Sequence, residues 1–326
     1  MSRGRLALVL ALAAGMPLPI ALAQKGGGAG VATDDTPGKG AAATEPPPVG
    51  AATEKEPPTP GASATAATPD LEGDEPDHAS TPPPKEKPAP FVKQPTVLKD
   101  GMLRIPGGRF TMGSSDKKAP PNERPARAAT TPPFWIDKTE VTVGAYRACV
   151  ERGGCARPPR TSGACTYDMG DPQLPVSCVP WTSANAFCLA VGKRLPREIE
   201  WELAARGTTP IRYPWGGAGT ACGMAATLAA DNSARSCSGK KPARAGAHAN
   251  GASPYGVLDM SGNVEEWVAD WYADSVSELS PRAGASHVLR GGGWLSIPSL
   301  AKTTSRNWGS VREAGPNVGF RCARDD

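Results

Sequence analysis

Gly192-Lys193-Arg194-Leu195-Pro196-Arg197-Glu198-Ile199-Glu200-Trp201-Glu202-Leu203-Ala204-Ala205-Arg206-Gly207 is the stretch that organises the chain. The pattern predicts a helix over Pro196–Arg206. Proline is tolerated at the first helical position, whose N–H is unpaired in any case, and Gly207 marks the stop. Glu198, Glu200 and Glu202 alternate around that helix and face different ways, which reads as a solvated surface with cap contributions. Two amphipathic helices are expected upstream. Val143–Arg152 carries Val143, Tyr146 and Val150 on one face. Thr182–Val191 has Thr182 as its N-cap and Ala186, Phe187, Leu189 and Ala190 inside. Earlier still, Met102–Pro106 and Arg109–Met112 flank Gly107-Gly108 as strand, tight turn, strand. Phe134–Asp137 is another short strand. After Gly207 glycine and proline punctuate the chain, leaving short strand candidates at Val264–Val268, His287–Arg290 and Val318–Ala323. Helices early and irregular short strands late make an α+β domain, with no tandem repeat.

That domain is expected over residues 97–326. Every Trp lies between Trp135 and Trp308 and every Cys between Cys149 and Cys322. Residues 24–96 are rich in Gly, Ala, Pro and Thr, with runs such as Pro46-Pro47-Pro48. Such a segment buries too little apolar area to offset ~1–2 kcal/mol per residue of backbone ordering, so it reads as a disordered linker. Residues 1–23 combine Arg3 and Arg5, an apolar run broken by Gly15, Pro17 and Pro19, and Ala21-Leu22-Ala23 as a small-x-small cleavage pattern. This is the pattern of a secretory signal peptide rather than a membrane anchor. No Cys follows the cleavage pattern, which disfavours a lipid anchor, and no other segment is long or apolar enough to span a bilayer. The expected address is periplasmic or extracellular.

The eight cysteines fit an oxidising compartment, and none forms C-x-x-C. With 36 basic and 32 acidic residues and no basic stripe, nucleic acid is not an expected partner. His78, His248 and His287 lie at no metal-motif spacing. Ser114-Ser115-Asp116-Lys117 and Ser299-Leu300-Ala301-Lys302 both match S-x-x-K, but the companion motifs of that nucleophile class are missing. In Tyr255–Trp267 the turn at Gly262-Asn263 brings Asp259 and Glu266 near each other with backbone carbonyls between. Those are hard oxygen donors of the kind Ca²⁺ selects; the alternative is a set of turn-forming polar residues.

Several segments, in order, resemble the formylglycine-generating enzyme, or sulfatase-modifying factor, family. They are Ile105–Gly113, Asp137–Thr142, Gly192–Glu202, Tyr213–Gly216, Gly262–Trp267, Arg290–Gly292 and Gly319–Cys322. The resemblance implies a C-type-lectin-like variant fold with little regular structure. It implies structural calcium on the Asp259 and Glu266 side chains and the Gly262 and Val264 carbonyls. The family's other calcium loop is degraded: Asn232 fits its first ligand, but Arg235–Lys241 carries no carboxylate. The resemblance also implies a Cys188–Cys322 disulfide. Cys222–Cys237 is the next pair, and Cys149–Cys155 and Cys165–Cys178 follow by proximity alone. Family enzymes oxidise a sulfatase cysteine with Cu(I) held by two cysteines. Here Ser296 and Ala301 fall in those slots and Gly293 replaces a serine, so copper is not expected. The expected function is non-catalytic binding of an extracytoplasmic ligand or protein through a late-loop surface of Trp294, Ser296, Arg306, Asn307 and Trp308. The alternative is formylglycine formation or another chemistry on the same scaffold.

Overall fold

The computed structural model describes residues 93, 96–217, 219, 222–230, 235–278 and 284–326, apart from the side chain of Glu278. Chain contacts separate Met1–His78 from Ala79–Asp326, and every described residue belongs to the second unit. The expected signal peptide, nearly all of the expected linker, and Asn232 lie outside the described residues.

Ten strands and three α-helices are present among the described residues, joined by short 3-10 turns. They are β1 (Leu98–Lys99), β2 (Met102–Ile105), β3 (Gly108–Met112), β4 (Arg127–Thr131), β5 (Phe134–Asp137), α1 (Val143–Glu151), α2 (Trp181–Ala190), α3 (Glu198–Arg206), β6 (Glu265–Trp271), β7 (Ser286–Arg290), β8 (Arg306–Ser310), β9 (Val318–Phe320) and β10 (Ala323–Asp325). One antiparallel sheet has the order β1-β2-β5-β10, β3 and β4 form a separate hairpin, and a second sheet has the order β8-β7-β6-β9. In the second sheet β9 runs parallel to β6. The architecture is α+β, as expected.

The segment Val318–Ala323 is not one strand. It leaves the second sheet at Phe320 and enters the first at Ala323, so Arg321 and Cys322 occupy the crossover between sheets. Cys322 there pairs with Cys188 on α2, with the Cα atoms 5.7 Å apart. The other bridges are Cys149–Cys155, Cys165–Cys178 and Cys222–Cys237.

Expected pairings and element edges shift at several points. Met102–Ile105 and Gly108–Met112 do not pair with each other: β2 pairs with β1 and β5, while β3 pairs with β4. Gly107 is the switch point, with φ of 70° and a would-be Cβ only 2.5 Å from the Pro132 backbone. Only glycine fits a positive φ against a neighbouring chain so closely. Helix α2 starts at Trp181 after Pro180, so Thr182 lies inside it rather than capping it. Helix α3 starts at Glu198 rather than Pro196. Its first N–H groups are met by carboxylates: the Glu198 N–H donates to Asp270 Oδ2 (2.6 Å) and the Arg197 N–H to Glu200 Oε2 (2.8 Å). Strand β8 has no counterpart in the pattern reading.

Two apolar cores flank the second sheet. Trp201, Leu203 and Ala204 of α3 pack with Ile105, Phe134, Ile136, Met260 and Val288. Tyr146 of α1 stacks on Phe187 of α2 at 5.3 Å and meets Phe320 edge-on, beside Trp267 and Leu289.

Candidate functional site

The carboxylates of α3 correct the expectation of a solvated face. Glu198, Glu200 and Glu202 are all buried, each against arginine. Glu198 takes a two-pronged contact from Arg306, through Nε (2.6 Å) and Nη2 (3.0 Å). Glu202 Oε1 accepts the Gly113 N–H (2.7 Å) and Arg206 Nη1 (2.8 Å), and its Oε2 accepts Arg290 Nη2. Arg290 Nη1 also donates to the Ser305 carbonyl and Nη2 to the Thr303 carbonyl, while its Nε has no hydrogen-bond partner and lies 3.4 Å from Glu198 Oε1. Glu200 is held by Arg194 and Arg197. Burial acts to raise its carboxyl, and those hydrogen bonds and charges outweigh it, leaving the group below its ordinary value. Each carboxylate is met by at least one arginine, with five arginines on three glutamates and bidentate contacts where geometry allows, the strong form of the interaction.

Asp259 and Glu266 fall in a second buried cluster, at the crossover. Arg321 Nε and Nη2 each donate to a Glu266 oxygen at 2.7 Å, and Trp201 Nε1 donates to Glu266 Oε2 at 2.9 Å. Asp259 Oδ2 accepts the Gly246 N–H. Asn263 Nδ2 donates to Glu140 Oε1 at 3.0 Å. Glu140 Oε2 and Asn263 Oδ1 are buried and without hydrogen-bond partners. Burial pushes the Glu140 carboxyl well above its ordinary value; the Asp259 and Glu266 charges add to this and Arg321 opposes it. No three His, Cys, Asp or Glu side chains among the described residues form a metal-holding group. The oxygen-rich, acid-heavy character of the cluster is of the kind a hard cation selects, and His248 Nδ1 stands 3.9 Å from Asp259 Oδ1.

In the late loops, the two positions expected for copper thiols are occupied otherwise. Ser296 Oγ accepts the Gly293 N–H (3.0 Å) and Asn317 Nδ2 (3.2 Å), and Asn317 Oδ1 accepts the Leu295 N–H (3.0 Å). Ala301 is fully buried, its carbonyl accepting Ser261 Oγ. A Cβ at Gly293 would fall 2.3 Å from Asn317 Oδ1, so the missing serine and the position of Asn317 go together. Two members of the expected ligand surface are not on the surface. Trp294 is 5% exposed with its Nε1 on the Pro316 carbonyl, and Arg306 is 7% exposed in the Glu198 contact. A large ring and a charge-paired guanidinium both gain more inside. Asn307 is exposed, Ser296 is half-buried, and Trp308 is 51% exposed, stacked on Tyr272 at 4.7 Å. Leu295, Ile297 and Leu300 add exposed apolar area to the same loops.

Pattern reading missed Glu140, Asn263, Arg321, Asn317 and Arg206. Glu140 and Arg321 were visible as parts of the Asp137–Thr142 and Gly319–Cys322 segments, but their meeting depends on the crossover. Nothing local marks Asn317 or Arg206.

Residues 87–326 match the family model described as the sulfatase-modifying factor enzyme 1-like domain. A formylglycine-generating enzyme of Thermomonospora curvata is 29% identical over 297 residues, covering 72% of this chain and 96% of that one. An inactive C-alpha-formylglycine-generating enzyme 2 of Mus musculus is 30% identical over 280 residues, covering 68% and 85%. A serine/threonine-protein kinase pkn1 of Chlamydia caviae is 31% identical over 255 residues; the match takes in 71% of this chain but 39% of the length of that relative. Among solved structures, PvdO from Pseudomonas aeruginosa superposes with a TM-score of 0.58 at 26% identity, covering 69% of this chain and 94% of that one. With its ordered motifs, its α+β architecture and a family match over most of its length, the chain belongs to the sulfatase-modifying factor enzyme 1-like domain family.

Proposed function

We propose that this protein is an exported, non-catalytic member of the family that binds an extracytoplasmic ligand or protein through its late loops. One observation carries the non-catalytic half. Where formylglycine-generating enzymes are expected to hold Cu(I) on two thiolates, this chain offers a hydroxyl already engaged by Gly293 and Asn317, and a buried methyl. Soft Cu(I) selects thiolate, and neither group is one. The relatives include both an enzyme and a protein named inactive, so family membership is compatible with this loss.

The binding half rests on Leu295, Ile297 and Leu300 in the late loops and on Trp308 of β8, large apolar side chains that are exposed. Contiguous exposed apolar area marks interaction surfaces, and we take these side chains as one such patch. Export is supported by four disulfides, which persist outside the cytoplasm. A structural calcium ion on Asp259, Gly262, Val264 and Glu266 belongs to the same proposal. It is supported by the unmet oxygens of Glu140 and Asn263 nearby, although Glu266 is already shared between Arg321 and Trp201.

The test of binding is affinity capture from the envelope fraction of the source with the full chain and with Trp308→Ala. A discrete partner held by the wild type and lost from the variant is expected. Identical capture by both proteins would remove the late loops from the account.

A further inference from the structure

A cavity of about 590 Å³ opens between the Gly113–Pro120 loop, the end of α3 and the Ser299–Thr304 segment. Its volume is that of a small-molecule site. Its charge is one-sided: Lys118, Arg206, Arg212 and Lys302 line it, against Asp116 alone. Two of the four cations have internal partners. Lys302 Nζ reaches both oxygens of buried Glu123 at 2.8 Å, and Arg206 Nη1 reaches Glu202 Oε1 and the Gly113 carbonyl. Lys118 and Arg212 are exposed.

Arg206 is the decisive residue. It is almost wholly buried, yet its Nε has no hydrogen-bond partner. A guanidinium presents five donors in a fixed fork, and here only one nitrogen is engaged by the protein. That Nε is sealed from solvent, so what Arg206 offers the cavity is the remaining guanidinium nitrogen, Nη2. Cations along a concave wall also concentrate anions.

We infer that this cavity binds a small molecule by an oxyanion head group, a carboxylate or a phosphate, held at the Arg206 end with Arg212 and Lys302 alongside. The fork geometry of arginine matches both oxyanions. The inference shares Leu300 with the late-loop proposal, but its ligand class and its variants are different, so anion binding and partner capture can fail separately.

The test is calorimetric titration of the full chain at fixed ionic strength, with inorganic phosphate in one arm and citrate in the other. Saturable binding of one equivalent is expected; the arm that gives it, or the tighter of the two, identifies the head group. Both informative variants lie on the exposed rim and leave the buried pairs intact. Arg212→Ala should weaken binding about tenfold, the scale of one hydrogen bond to a charged group. Asp116→Asn removes the opposing charge and should tighten it severalfold. Absence of saturable binding in both arms overturns the inference. So does binding that neither variant changes, because the anion would then sit elsewhere.

Discussion

The two buried charge clusters of this protein are neighbours joined by one side chain, and they are built on opposite terms. Trp201 of α3 lies under Arg290 at 5.1 Å and donates its indole N–H to Glu266. On the α3 side, Glu198, Glu200 and Glu202 are met by Arg306, Arg194, Arg197, Arg206 and Arg290. Around the crossover, Arg321 faces Glu140, Asp259 and Glu266, and two oxygens have no partner. Desolvating a charge is tolerable only when it is paired and hydrogen-bonded. In the first cluster every carboxylate is paired with arginine, although the Nε atoms of Arg206 and Arg290 have no hydrogen-bond partner, and it acts as a fastener between α3, β7 and β8. The second lacks that pairing, and its excess oxygen is what a cation or a proton would satisfy.

The largest expected effect comes from breaking the arginine-paired cluster. Arg290→Met leaves two buried carboxylates short of a partner and should lower stability by about 3–5 kcal/mol in denaturant unfolding. A loss below about 1 kcal/mol would show that the arginines are interchangeable. The second effect belongs to the other cluster. Under the calcium proposal, chelation should lower the melting temperature by an amount equivalent to about 2–3 kcal/mol when free calcium had stood at about a hundred times its Kd, and Asp259→Ala should abolish the difference. An unchanged melting temperature together with no calcium in the purified protein would leave the cluster to protons alone.

The smallest effects are the most diagnostic because their signs are opposite. Glu200 has a lowered carboxyl, so its contribution is present at neutral pH and is lost as pH falls through and below its ordinary value of 4.5. Glu200→Gln should therefore cost roughly 1–3 kcal/mol at pH 7, with the gap closing under acid conditions. Glu140 has a raised carboxyl, so its contribution is present at low pH and declines as pH rises above 4.5. Measured after chelation, Glu140→Gln should be close to neutral at low pH, within about 1 kcal/mol, and gain on the wild type as pH rises. Parallel pH profiles for the two variants would erase the distinction between the clusters.

Much of the frame was readable from sequence, for reasons that differ by element. α1 and β5 follow from apolar spacing alone, and Gly207 ends α3 where expected. The four disulfides join the pairs that the resemblance and proximity implied. The α3 carboxylates were misread because helical periodicity reports direction around a helix, and here every direction is covered. Their partners Arg290 and Arg306 lie roughly ninety to over a hundred residues away, as the separations of 88 and 108 show. The Gly107 switch looked like a hairpin because two adjacent strands and a glycine pair satisfy the hairpin pattern whichever neighbours they choose. Of the expected binding surface, Trp308 and Asn307 lie outside and Trp294 and Arg306 inside. Alternation along so short a strand as β8 does not say which face meets the core.

The central claim is that the late loops have lost copper chemistry. Its most direct test is incubation of the purified full chain with Cu(I), oxygen and a sulfatase-motif peptide, followed over time by mass spectrometry. The expected result is unmodified cysteine at every time point, indistinguishable from heat-killed protein. Time-dependent appearance of the formylglycine aldehyde, absent from the heat-killed control, would contradict the account.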